Sequence, residues 1–162
     1  MNEEVYILAE RLGRLLSTKN MQIATAESCT GGAIAQAITD VPGSSEWFDR
    51  GFVTYSNLAK QQMLGVSEQT LSKFGAVSDA TIREMLAGAL QQSAAECAIA
   101  VSGIAGPGGG TPDKPVGTVY FGWIQKPDLI RTSQQLFFGN RHEIRTHAVV
   151  YALTMANQFL SK

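Results

Sequence analysis

Cys97–Val101 reads CAIAV, five consecutive apolar residues with no polar alternation. A strand with one wet face alternates polar and apolar residues, so an unbroken run predicts a strand covered on both faces, at the centre of a sheet. A shorter run, Met21–Thr25, suits a buried strand in the same way. Helical patterns surround these runs. Val5, Leu8, Ala9, Leu12, Leu15 and Leu16 recur at helical spacing behind Asn2, with Glu3 and Glu4 in the first turn where the helix dipole favours acids, predicting a helix over 3–18. Thr30–Thr39 is helical again, and Gly51–Ser56 alternates as a strand after a short helical turn in SSEWFDR. Two short helices follow, Asn57–Leu64 and Glu68–Phe74, parted by Gly65. Ser78 caps a longer helix whose apolar face is Ile82, Met85, Leu86, Ala89 and Leu90. Thr118–Ile124 and Arg131–Phe138 read as strands. Asn140 caps the last helix, Glu143 completes a capping box, and Ile144, Ala148, Tyr151, Met155 and Phe159 form the expected buried stripe. Helices alternate with strands and two strands come together at the end, which predicts a three-layer α/β/α architecture with a mixed, mostly parallel sheet. No linker, low-complexity or repeated segment divides the chain, so one domain over 1–162 is expected.

Composition narrows the function. Thirteen Lys and Arg against fourteen Asp and Glu leave a formal charge of −1, with no basic field to gather nucleic acid or an anionic membrane, so neither is an expected partner. Cys29 and Cys97 belong to no CxxC pair and to no cluster with metal-ligand spacing, which fits a reduced, cytoplasmic enzyme with no metal. The N-terminus, MNEEVYILAERLGRLL, begins acidic and is interrupted by charges, so it has neither signal-peptide layout nor transmembrane length. Glycine is in surplus over the usual ~7%: there are sixteen, and Gly103, Gly106, Gly108, Gly109, Gly110, Gly117 and Gly122 fall within twenty residues.

The segment Glu27-Ser28-Cys29-Thr30-Gly31-Gly32 sits at a strand-to-helix junction. A hydroxyl there stands at the sheet's end, and free N–H groups of a first helical turn can stabilise a nearby anion, as a nucleophile with an oxyanion hole requires. Gly31 and Gly32 allow close approach to the backbone. The competing reading is that Ser28 or Thr30 only caps the helix; Cys29 is either a nucleophile or a small core residue. His142 and His147 lie five apart on the last helix and face different ways, which disfavours a Ser-His-Asp triad. Lys60, just after a strand end, is the substitute base if burial depresses its pKa, with Tyr55 as a proton relay; otherwise it is a solvated helix residue. The glycine-rich loop lacks both G-x-G-x-x-G and the G-K-[ST] ending of a P-loop, yet with Thr111, Lys114 and three prolines it can wrap a phosphate or ribose. Arg141 and Arg145 share a helix face as a candidate phosphate clamp, or as an ordinary charged face.

TAESCTGG (25–32), GSSEWFDRGFVTYSNLAK (43–60), GAVS (75–78), SGIAGPGGGTPDKPVGTV (102–119) and GNR (139–141) together resemble the CinA C-terminal family, in particular its stand-alone members. The separate N-terminal domain of that family is not expected here. The resemblance implies a three-layer α/β/α fold and hydrolysis of the carboxamide of nicotinamide mononucleotide to nicotinic acid mononucleotide and ammonia, in pyridine nucleotide recycling, with no cofactor. It further implies a serine and lysine mechanism, carried here by Ser28 and Lys60 with Tyr55 beside them. Thr30, Gly31, Gly32, Ser45, Gly103, Gly106 and Arg141 are then the substrate-contacting set, with Ser45 an oxyanion or relay contributor. Gly108 stands where close relatives often carry an acid. Two other readings remain: a non-catalytic nucleotide-binding or regulatory module, and an amidohydrolase for another pyridine nucleotide. A chain this small with a site built of loops is expected to form a homo-oligomer, a dimer.

Overall fold

The computed structural model describes residues 2–162. In chain order its elements are α1 (Glu3–Lys19), β1 (Ile23–Glu27), α2 (Ala33–Thr39), β2 (Phe48–Val53), α3 (Asn57–Leu64), α4 (Glu68–Phe74), α5 (Asp79–Gln91), β3 (Cys97–Gly103), β4 (Thr118–Gln125), β5 (Leu129–Leu136) and α6 (Arg141–Leu160). The five strands form one sheet in the order β2-β1-β3-β4-β5. Its β2, β1 and β3 run parallel, while β4 is antiparallel to both neighbours.

Alternation of side chains along the central strands decides which helix lies where. Ile23 of β1 and Cys97, Ile99 and Val101 of β3 face α1, α2 and α6, and Val119, Phe121 and Trp123 of β4 complete that layer. Tyr151 packs on Phe121 at 4.7 Å between ring centroids, and the Trp123 indole N–H donates to the Ala152 carbonyl at 3.0 Å. The opposite face is built of small residues, Ala24, Ala26, Ala98 and Ala100, and receives α3, α4 and α5. Close packing on this side depends on glycine. A Cβ on Gly122 would lie 2.5 Å from Ile82, and one on Gly88 would lie 1.9 Å from the Leu64 carbonyl oxygen.

Several boundaries move relative to the sequence pattern. The first strand runs two residues later than expected, because Trp47, which pairs its carbonyl with the Ile23 amide, sets the register with β2. The second strand starts earlier, at Phe48, directly after a 3-10 turn at Ser44–Glu46, and β5 is likewise displaced by two residues. Helix α2 begins at Ala33 rather than Thr30, because Gly31 and Gly32 adopt positive φ (61° and 99°). On α6 the capping box forms as expected. Ile144, Ala148 and Phe159 are buried, whereas Tyr151 and Met155 are only half-buried.

After β1 the chain crosses to β2 on one side and then to β3 on the other, which creates a topological switch point between β1 and β3. In such sheets the crevice beyond the carboxyl ends of the strands is where ligands bind. Ser28 follows β1 there, and Ser102 and Gly103 end β3.

Alanine normally stabilises a helix interior relative to glycine by about 1 kcal/mol. At position 88 the carbonyl of Leu64 reverses the sign: Gly88→Ala is expected to cost about 1–3 kcal/mol in urea unfolding as an overpacked site, and a gain in stability would contradict this packing.

Candidate active site

Glu27 and Ser28 are adjacent residues pointing to opposite faces of the sheet. The Glu27 carboxylate, 1% exposed, accepts from the Thr30 hydroxyl (2.6 Å) and from the amides of Ile34 (2.9 Å) and Ala35 (3.0 Å). It therefore caps α2, a task assigned on sequence to Ser28 or Thr30, and it occupies the first-turn amides that were expected to bind an oxyanion. The amides that stay free belong to the turn carrying Ser28. The Gly31 amide closes that turn on the Ser28 carbonyl at 3.0 Å, and among the described residues the N–H groups of Cys29 and Thr30 form no hydrogen bond to another residue.

Ser28 faces α3. Ser56 caps that helix, its hydroxyl accepting from the Ala59 amide, and one turn along Lys60 is carried inward. Lys60 is 1% exposed; its Nζ lies 3.0 Å from Ser28 Oγ and 2.9 Å from the Thr54 carbonyl oxygen. No carboxylate forms an ion pair with it among the described residues. Burial pushes its pKa below the usual 10.5, only partly opposed by the nearby Cys29. Lys60 Nζ donates to the Thr54 carbonyl and to Ser28 Oγ; on losing a proton the amine would keep an N–H for Thr54 and turn its lone pair to the Ser28 O–H. This geometry replaces the solvated-helix reading of Lys60. Burial also drives the Cys29 thiol up to about 12, which leaves it a poor nucleophile beside Ser28.

Ser28 and Lys60 open onto a cleft of about 300 Å3, whose further lining includes Tyr55, Ser102, Gly103, Gly106 and Arg141. Arg141 donates to the Gly106 carbonyl at 2.7 Å and to the Tyr55 hydroxyl at 2.8 Å, tying α6, the glycine loop and the end of β2 into one rim. The Tyr55 hydroxyl bonds Arg141 and reaches neither Ser28 nor Lys60, so the geometry gives it a place on the rim rather than in a relay. Gly103 and Gly106 admit no side chain, since a Cβ would come within 2.7 Å and 2.4 Å of Val119 and Val116.

Other sequence candidates lie elsewhere. Ser45 is exposed on the 3-10 turn before β2, at the opposite end of the sheet from Ser28, because the parallel β1 and β2 place Phe48 beside Ile23 and Val53 beside Glu27. Thr30, Gly31 and Gly32 shape the turn but are not in the cleft wall, where Cys29 is. Lys114 donates to the carbonyls of Val77 and Phe74 and holds the glycine loop against the start of α5 instead of facing the cleft. Arg145 donates from Nε to the Cys29 carbonyl (3.1 Å) and from a terminal nitrogen to the Thr30 carbonyl (3.3 Å). Glu27 and Ser102 had no signal beyond their neighbours in the motifs: an acid at a strand end and a serine after a strand are too common to single out. Among the described residues no group of three or more His, Cys, Asp or Glu is placed to hold a metal.

The sequence and the fold are similar to those of known proteins. The model of the CinA C-terminal domain matches residues 5–160. Nicotinamide-nucleotide amidohydrolase PncC of Enterobacter agglomerans is 51% identical over 95% of this chain and 94% of its own. The protein of the same name from Escherichia coli K12 is 49% identical over 98% and 97%. Among solved structures, the competence/damage inducible protein CihA of Agrobacterium tumefaciens superposes with a TM-score of 0.96 at 44% identity, covering 100% of this chain and 98% of that one. Near-complete coverage in sequence and in fold places this chain in the CinA C-terminal domain family.

Proposed function

We propose that this chain is a nicotinamide-nucleotide amidohydrolase that converts nicotinamide mononucleotide to nicotinic acid mononucleotide and ammonia, acting as one catalytic domain in the cytoplasm. The observation that carries the reading is the buried Lys60 Nζ at 3.0 Å from Ser28 Oγ with no carboxylate to neutralise it. A merely structural lysine has no reason to be buried against a hydroxyl at a sheet's switch point without a counter-ion. The names of relatives at about half identity over nearly full length supply the substrate class.

The chemistry runs in two halves. Lys60, neutral, takes the Ser28 hydroxyl proton as Oγ forms a bond to the carboxamide carbon, and negative charge moves to the amide oxygen. The N–H of Cys29, the residue that lines the cleft beside Ser28, is the donor for that charge, an interaction worth several kcal/mol in hydrolases. The Lys60 ammonium then protonates the departing nitrogen, the C–N bond breaks, and ammonia leaves a nicotinoyl ester on Ser28. Water attacks the ester as Lys60 takes its proton, the C–O bond to Ser28 breaks, Ser28 recovers a proton, and the acid is released. Arg141, with Tyr55, is the cation at the rim available to the phosphate, and the backbone from Gly103 to Gly106 follows the nucleotide.

Ser28→Ala is expected to lower ammonia release from nicotinamide mononucleotide by about 10³-fold or more; near-wild-type release would refute the nucleophile. Saturable binding without turnover in the wild type would instead favour a binding module, and faster turnover of a different pyridine nucleotide would move the substrate. Arg141→Ala should act mainly on KM, read from the same assay.

The depressed Lys60 pKa has two consequences. Activity should rise with pH along an acid limb whose midpoint lies below 10.5, the fraction of neutral Lys60 setting the rate. Stability follows with the same sign. Between the folded and unfolded pKa the unfolded chain binds the extra proton, so wild-type stability climbs with pH through that window. Below the folded pKa the penalty for charging Lys60 is present in full. Lys60→Met should abolish activity and flatten this rise in denaturation measured across pH; a variant with the wild-type pH dependence would contradict the assignment.

The homo-oligomer reading is supported by the two sheet edges, β2 and β5, and by Phe138, which is 78% exposed after β5. Light scattering should give twice the mass of one chain.

A further inference from the structure

Two consecutive peptide planes of the nucleophile turn are held from outside by one side chain. Arg145, on the second turn of α6, donates to the Cys29 carbonyl at 3.1 Å and to the Thr30 carbonyl at 3.3 Å. A trans peptide is planar, and its C=O and N–H point in opposite directions. Fixing the Cys29 carbonyl therefore fixes the Thr30 N–H, which has no acceptor among the described residues. Fixing the Thr30 carbonyl fixes the Gly31 N–H, which closes the turn on the Ser28 carbonyl and so holds the peptide plane that carries the Cys29 N–H into the cleft wall. Gly31 has φ +61° and would place a Cβ 3.1 Å from the Arg145 guanidinium, so the absence of a side chain there lets the guanidinium approach. No carboxylate pairs with Arg145 among the described residues, which leaves its charge directed at these carbonyl dipoles.

We propose that Arg145 is a positioning residue for the reaction: its guanidinium clamps the Cys29 and Thr30 carbonyls so that the Ser28 turn presents the Cys29 amide to the developing oxyanion. This rests on the reading of Ser28 as the nucleophile. Arg145 is absent from the wall of the cleft that holds Ser28 and Lys60, so it acts through the backbone. The division of labour on α6 is then between Arg141 at the rim, which serves binding, and Arg145 one turn later, which serves the rate. A fork is needed for two carbonyls on successive residues, and a lysine ammonium, as a point donor, does not reproduce it.

The other side of Arg145 faces a second cleft of about 330 Å3, lined also by Tyr6, Gln36, Asp40 and His142. Truncation would leave an accessible, guanidinium-shaped vacancy, which makes chemical rescue a discriminating test. For Arg145→Ala, kcat on nicotinamide mononucleotide should fall by about 100-fold, the scale on which misplacement of a reacting group is felt, with KM little changed. Amide hydrogen exchange over residues 28–31 should quicken. Added guanidinium ion, below unfolding concentrations, should restore part of kcat and slow the exchange. Arg145→Lys, which keeps charge and stem, should fold as the wild type and still lose most of kcat. Wild-type kcat in either variant, unchanged exchange in Arg145→Ala, or a loss that guanidinium does not relieve would overturn the proposal. Full turnover by Ser28→Ala would defeat the reading of Ser28 as the nucleophile instead, and the exchange measurement would still judge whether Arg145 holds the turn.

Discussion

A primary amine removed from water and set against a serine hydroxyl is the constraint around which this molecule is arranged. Isolated charge is expensive in a protein interior, and a group that meets no counter-ion relieves the cost by giving up its proton. Here the surroundings of Lys60 offer a carbonyl, a hydroxyl and a thiol, and no carboxylate pairs with it among the described residues. The nearest acid in sequence to Ser28 is Glu27, and the strand's alternation turns it to the other face, where Thr30, Ile34 and Ala35 absorb its charge. Two adjacent residues thus hold two opposite electrostatic tasks apart by the pleat alone.

The rest of the architecture supplies what that contact requires. Small residues on one face of β1 and β3 allow α3 and α5 to lie close to the sheet, and Gly88 allows α5 to touch the end of α3. Lys60 sits on α3 between the Ser56 cap and Leu64, so the packing that buries Leu64 also buries Lys60. On the other face α6 contributes no group to the wall of Ser28 and Lys60 beyond Arg141, but it reaches the same turn from behind through Arg145. The proposed catalytic constellation is consequently distributed over the ends of β1 and β3, the start of α3 and the start of α6, as expected for a switch-point site.

Much of this was legible before any coordinates. CAIAV is the central strand, Ser56 and Ser78 begin helices, Asn140 and Glu143 form their capping box, and the layered mixed sheet follows from the order of elements. The proximity of Ser28 to Lys60 was legible only as a candidate, because thirty-two residues separate them and burial arises in three dimensions. Failures had local causes. Positive φ at Gly31 and Gly32 delays α2, which a helical period alone does not reveal. Ser45 sits in a segment resembling the family, yet parallel pairing sends it to the far end of β2. Lys114 looked available to a phosphate because its carbonyl partners, Phe74 and Val77, are remote in sequence. Arg145 was indistinguishable from a surface charge, since its partners are backbone atoms that carry no sequence signature.

A covalent bond at Ser28 during turnover is the central claim, and intact-mass and peptide mass spectrometry of enzyme quenched in acid while hydrolysing nicotinamide mononucleotide tests it most directly. The account predicts an adduct with the mass of the substrate less ammonia, confined to the peptide that contains Ser28 and absent in Ser28→Ala. Continued turnover with no adduct, or an adduct on Cys29 or elsewhere, would contradict it.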